Sequence, residues 1–236
     1  MSDQEDLNKA IEVSVGKVSL AVAKETHHPQ DRLSSPELRA KQIEQELRLQ
    51  IKDFRKKCVE GMHCCSQALE QDAIQDLKQA FHQVKDLLQL SESLAKGARC
   101  CELLGIKEST MHSLYHAAKA LFDQKRHEEA EAAFTFLILL DHGQYAYWLG
   151  LGHARAQTKQ FVLAIEAYRR AQELEPTLCW PPIFIANCLI ERNDFVGAFN
   201  ELEEAIKLYR EDKNRDRDME LALVERLTFI KNRGTL

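Results

Sequence analysis

This 236-residue chain has little glycine or proline, nine and five residues, and almost no alternating stretches rich in valine, isoleucine and threonine. Strands need that alternation and tight hairpins need glycine, so the shortage of both predicts an all-α fold. Basic charge is not in excess: the net charge is -5 and the isoelectric point about 6.0, which argues against nucleic acid or anionic membrane as partners, since both need clustered Lys and Arg. No run approaches the roughly 18 apolar residues of a membrane span. The start, Met1 to Asp6, is acidic where a secretion signal is basic and then apolar. A soluble cytoplasmic protein without stable membrane insertion is expected.

Catalytic signatures are also missing. There is no phosphate-binding glycine loop, no G-x-S-x-G, no H-E-x-x-H and no zinc-ribbon spacing, so neither an enzyme nor a cofactor is expected. The seven cysteines, Cys58, Cys64, Cys65, Cys100, Cys101, Cys179 and Cys188, are an odd set without any C-x-x-C pair. Adjacent residues on a helix point about 100° apart and share one ion poorly. Reduced, packed thiols and no metal are expected. Cys179 and Cys188 with His153 could imitate a thiol site, but packing explains Cys188, and His127-Glu128-Glu129 reads as a solvated helix start.

What the chain does have is charge, 29%, and apolar residues, 44%, enough for a substantial core. Residues 1–35 read as irregular, with a weak helix over 7–23 (Leu7, Ile11, Val15, Val18, Val22) and a linker from His27 to Asp31. Ser35-Pro36-Glu37 is a good helix start. Residues 36–104 form a helical extension with narrow apolar stripes, Leu47, Ile51, Phe54 and Cys58, then Leu77, Phe81, Val84 and Leu88. A shorter helix over about Leu90 to Leu104 ends at Gly105.

From Met111 to Arg210 the chain repeats every 34 residues. Ala130, Ala164 and Ala198 share a column, as do Ala118, Gly152 and Ala186; Phe134, Tyr168 and Leu202; Leu137, Ala171 and Ala205; and Leu121 with Leu189, Arg155 being the exception. Small residues let two helices approach, and the large residue one turn on fills the space between hairpins. The period and columns are those of tetratricopeptide repeats. Three repeats, near 111–144, 145–178 and 179–212, make a repeat domain over 105–210, an α-solenoid. Leu114 and Trp148 hold a large apolar column, Pro176 closes the second repeat, and Pro182 in that column makes the third repeat's first helix start late. Residues 213–236 supply a capping helix and tail, with Met219, Leu223, Leu227 and Ile230 on one face. The helix around Leu90 to Leu104 is expected to cover the near end.

Stacked hairpins curve, and their first helices line a concave groove for an extended peptide. The register assigns Tyr115, Lys119 and Phe122, then Leu149, His153 and Ala156, then Ile183, Asn187 and Ile190 to that groove. Only Lys119 is cationic, so the lining suits a hydrophobic or proline-containing segment better than a peptide carboxylate.

Leu114-Tyr115 with Leu121-Phe122, Leu140-Asp141-His142, Trp148-Leu149-Gly150-Leu151-Gly152, Leu163-Ala164-Ile165, and Ala186-Asn187-Cys188-Leu189 after Pro182 resemble the class II type III secretion chaperones, the SycD/LcrH group. The resemblance covers roughly Leu104 to Tyr209. It implies a cytoplasmic bacterial chaperone whose groove holds a segment of the hydrophobic translocator proteins until export, with Tyr115 and Phe122 at the family's groove aromatics. The long stretch before the repeats departs from typical members and resembles chlamydial ones. It bears on the family's dimer contact, so a homodimer stays open. The alternative is a regulatory scaffold that binds a secretion gatekeeper or another regulator through the repeats and the N-terminal helices.

Overall fold

The structure is a computed structural model in which residues 60–61, 63–65, 69–82, 98–211 and 216–234 are described. The sequence readings on residues 1–59, and most of the proposed Leu90 to Leu104 helix, lie outside the described residues. Among the described residues are nine α-helices and no strand: α1 Gln71–His82, α2 Cys100–Leu103, α3 Glu108–Asp123, α4 His127–Leu140, α5 Tyr145–Gln157, α6 Phe161–Leu174, α7 Trp180–Glu191, α8 Phe195–Glu211 and α9 Arg217–Gly234. From α3 onward each helix packs chiefly on the one before it and the one after it, which is the connectivity of a solenoid. No described helix is long and apolar enough to cross a membrane.

Each of the three hairpins, α3–α4, α5–α6 and α7–α8, turns in the same way. Lys125, Lys159 and Asn193, 34 residues apart, take φ of 62°, 62° and 61°. At each turn the left-handed residue donates its N–H three residues back, to Phe122, Ala156 or Ile190, and the next residue donates five back, to Leu121, Arg155 or Leu189. This is the Schellman closure, which satisfies carbonyls a helix end would leave bare. Gly105 closes α2 the same way at φ 65°.

Most of the columns are buried, with Leu189, Arg155 and Trp148 half-buried. Ala118, Ala130, Ala164, Ala186, Ala198 and Leu202 are inaccessible to solvent, and Phe134 and Tyr168 nearly so. The glycines of the Leu149-Gly150-Leu151-Gly152 block have a steric reason. A Cβ at Gly150 would enter the Phe134 ring of α4, and one at Gly152 would enter the Tyr168 ring of α6. The exceptional Arg155 is held by an ion pair to Glu131 on α4 (3.0 Å) and a hydrogen bond to the Leu163 carbonyl (3.2 Å), so it ties hairpins together where leucine would fill space. Pro181 and Pro182 are buried in the first turn of α7, where their missing N–H groups cost little.

At the near end of the solenoid, Cys101 and Leu104 from the described part of the expected Leu90 to Leu104 helix enter the core beside residues from further upstream. Residues 60–61 and 63–65 are helical, and Gly61 lies so close to α4 that a Cβ there would meet Phe136 and the Ala132 carbonyl. The buried Ala73, Leu77 and Ala80 of α1 face inward, and the core runs unbroken from Cys65 through Leu77, Cys101 and Leu104 into the first two hairpins. Asp76 of α1 fastens this end. It accepts from the Lys107 N–H (3.1 Å) and the Thr110 hydroxyl (2.7 Å), and pairs with the Lys107 ammonium (3.4 Å), capping α3 from another helix. Asp141 is a second tie. It is buried, takes a hydrogen bond from Arg99 (3.1 Å), and closes the α4–α5 turn through the Gly143 N–H (3.0 Å).

At the far end α9 covers α8 with Leu223 and Ile230 buried and Met219 and Leu227 half-buried, as the sequence stripe predicts. Apolar packing thus falls into three clusters: the near end with the first two hairpins; Ala164, Tyr168, Ile185 and Cys188 between the second and third; and the third hairpin with α9.

Two outcomes follow. Gly152→Ala should cost about 1–3 kcal/mol by overpacking against Tyr168, read by chemical denaturation, and Tyr168→Leu in the same chain should return part of that loss. For Asp76, burial works against the charge, but the Thr110 and Lys107 contacts outweigh it and hold the carboxyl below its usual range. A depressed carboxylate stabilises the fold above its ordinary pKa of about 4 and loses that contribution as pH falls through the depressed value. The stability gap between the natural chain and Asp76→Asn should therefore be open at neutral pH and close below about pH 4, measured by thermal melts across pH.

Candidate functional site: the concave groove

The first helices of the hairpins, α3, α5 and α7, present one face each to a common concavity. Two consecutive cavities lie there. The first, about 390 Å³, is lined by Tyr115, Lys119, Phe122, Phe134, Tyr145, Leu149 and His153 among others. The second, about 630 Å³, is lined by Phe122, His153, Ala156, Phe161, Tyr168, Phe184, Asn187, Cys188 and Ile190, with Lys159, Glu191 and Arg226 also in its lining. Phe122 and His153 line both and so form the partition.

Eight of the nine residues assigned from the repeat register line these cavities. Ile183 does not. It is 6% exposed and packs with Cys179, Ala186, Leu202 and Tyr209 in the core of the third hairpin. The groove position belongs to its neighbour Phe184, which is half-buried and open to the second cavity. The reason is that α7 is apolar on every side at its start, Trp180 to Ile185, so burial against α8 decides which side chain turns inward.

The lining is a run of rings in contact, edge to face at His153–Phe184, His153–Tyr168 and Tyr115–Phe134. Phe122 lies 6.2 Å from His153 between centroids, His153 4.4 Å from Phe184 at 88°, and Phe184 6.4 Å from Trp180 in a stack. Behind them Tyr168 sits 5.5 Å from His153 and 5.4 Å from Phe184. In the first cavity Tyr115 touches Phe134 (6.3 Å) and Tyr147 (5.5 Å). Edge-to-face pairs of this kind fix ring orientation beyond what burial alone does. The sequence register did not place Phe184, Phe161, Tyr145 or Arg226 in the groove. Arg226 comes from the capping helix, where no repeat signal exists.

Polar side chains share the lining with the rings: Gln157, Lys159, Asn187, Glu191 and Arg226 in the larger cavity, Lys119 and Asp123 in the smaller. His153 Nδ1 and the Tyr168 hydroxyl share a hydrogen bond of 2.8 Å. Burial pushes the His153 imidazole below its usual range and the Tyr168 phenol up, so the pair is neutral near neutral pH. Burial, and secondarily Glu191, pushes the Cys188 thiol up to about 11, which leaves it a poor nucleophile. Burial likewise raises Cys65 to about 12 and Cys100 to about 11. Among the described residues no group of three His, Cys, Asp or Glu side chains is placed to hold a metal ion. The ring-lined walls offer apolar surface, and the charged side chains named above lie beside them.

A tetratricopeptide repeat model matches residues 145–178, the second hairpin with its flanking turns. The low calcium response locus protein H of Yersinia pestis is 28% identical over 141 residues, 59% of this chain and 83% of that protein. The Yersinia enterocolitica type III secretion chaperone SycD, solved with a peptide of the translocator YopD, is 26% identical, with a TM-score of 0.51 over 55% of this chain and 98% of SycD. In sequence and in fold the chain is similar to these type III secretion chaperones. A chain in a type III secretion complex from Aeromonas hydrophila has the same fold, with a TM-score of 0.59 at 24% identity, covering 63% of this chain and 98% of that one. The matches thus span 55–63% of this chain and 83–98% of those proteins.

The neutral His153 carries a pH signature. Its folded pKa lies below the unfolded value of about 6.5, so the unfolded chain binds more protons as pH falls and stability is lost below that value. Between about pH 7 and about pH 5 the natural chain should lose more melting temperature than His153→Gln, a comparison that thermal denaturation at each pH would settle.

Proposed function

We propose that this chain is a cytoplasmic chaperone whose concave groove holds an extended apolar segment of a type III secretion translocator. Its single strongest support is the pair of adjoining ring-lined cavities divided by Phe122 and His153, on a fold whose relative SycD was solved with a translocator peptide. Translocators carry membrane-inserting segments that aggregate when exposed. Occupation of the groove stabilises the unassembled client by mass action, in proportion to RT ln(1 + [L]/K_d), and needs no bond to be made or broken.

The lining favours apolar side chains over a terminal carboxylate. Lys119 shares the first cavity's lining with Asp123, and Lys159 and Arg226 share the second's with Glu191, so neither offers the cluster of several cations free of carboxylates that a peptide carboxylate needs. The scaffold alternative has no comparable feature in its favour.

Tyr115→Ala with Phe122→Ala should weaken co-purification of the translocators by about tenfold or more, since truncating buried aromatic anchors at an interface costs about 1–3 kcal/mol each. Unchanged client capture by this folded double variant would sink the reading. Phe184→Ala should act in the same way, whereas Ile183→Ala should reduce thermal stability first.

A further inference from the structure

We propose that Asn187 accepts a hydrogen bond from a main-chain N–H of the bound segment and thereby fixes that segment's register along the groove; this rests on the groove reading above. Asn187 stands on α7 one turn from Phe184 and one turn from Ile190, and all three line the larger cavity. Its side-chain oxygen is shielded from solvent and has no hydrogen-bond partner among the described residues, so a bound segment reaches it by turning the carboxamide about its side-chain bonds toward the cavity.

The surroundings offer it none. His153 and Tyr168 bond to each other at 2.8 Å, and although Gln157, Lys159, Glu191 and Arg226 also line this cavity beside the rings and Cys188, none of them bonds the Asn187 oxygen. A buried acceptor without a donor is destabilising, and native folds keep such groups where a partner arrives later or where function requires them. The partner that an extended peptide always brings is its own backbone. Its N–H groups are obligatory donors, and a carboxamide can receive one while its NH₂ group faces a peptide carbonyl. Apolar pockets alone tolerate a segment sliding along them. One directional bond between the second and third hairpins does not, because a shift by one residue would set a carbonyl against the Asn187 oxygen.

Two measurements on the full chain and on Asn187→Leu test the assignment. In thermal melts of the free proteins, Asn187→Leu should be at least as stable as the natural chain, because it removes a buried acceptor that has no partner. A clear loss of stability would make Asn187 a packing residue and overturn the proposal. In the binding arm, overlapping synthetic peptides spanning the hydrophobic secreted proteins of the host are screened. The tightest is then remade as a series in which one amide at a time becomes an ester. One ester position should weaken binding to the natural chain by about tenfold and to Asn187→Leu by less than about twofold. Equal effects on both proteins at every position would overturn the inference and leave the groove reading standing. A loss that instead tracks a single peptide hydroxyl would overturn the main-chain assignment. Failure of the natural chain to bind any peptide would overturn the groove reading and the inference together.

Discussion

The seat of one tyrosine ring on one glycine organises the groove. Because Gly152 carries no side chain, Tyr168 can lie flat against α5 while its hydroxyl reaches His153 on the same helix. His153 is thereby held in the orientation that makes it a wall of both cavities and an edge partner for Phe184. Gly150 does the same for Phe134, whose ring in turn meets Tyr115. Packing between hairpins and the shape of the binding face are therefore one arrangement. A methyl group added on the buried side would be felt on the open side.

Much of this was legible because the repeat imposes a period that neither helix propensity nor burial alone could imitate. Columns at a spacing of 34 predicted the alanines at the helix crossings, and the first-helix register placed Tyr115, Phe122, Leu149 and His153 in the cavities. Where the pattern has no contrast, it gave no direction. The opening of α7 is uniformly apolar, so Ile183 and its neighbour Phe184 could not be told apart from the sequence, and the contact with α8 chose between them. The turns repeat as faithfully as the columns, yet Lys125, Lys159 and Asn193 share a left-handed backbone rather than a residue type, and a backbone angle leaves no mark in composition.

The near end was the least legible. Of the stripe named there, Leu77, Phe81, Val84 and Leu88, only the Leu77 side chain falls among the described ones, and beside it the contact uses Ala73 and Ala80, a glycine against Phe136, and a carboxylate that caps a distant helix. Small residues and one polar tie carry little weight in any reading of periodicity, although they allow the closest approach between helices. Arg226 escaped for a related reason: it reaches the groove from the capping helix, and its role exists only once that helix is docked.

The division of the core into three clusters has a dynamic consequence. The cluster between the second and third hairpins is the smallest, four buried residues, and two of them, Tyr168 and Cys188, also line the larger cavity. In a solenoid, stability is a sum over units and the interfaces that join them, so the weakest interface sets where the chain parts first. Here that seam is also the floor of the groove. A segment lying across it touches α5, α6 and α7 together, and joins two cooperative units into one. Occupancy would then be recorded far from any contact, in slowed amide exchange through α8 and α9, so that the loaded and empty chaperone differ in how they unfold as well as in what they hold.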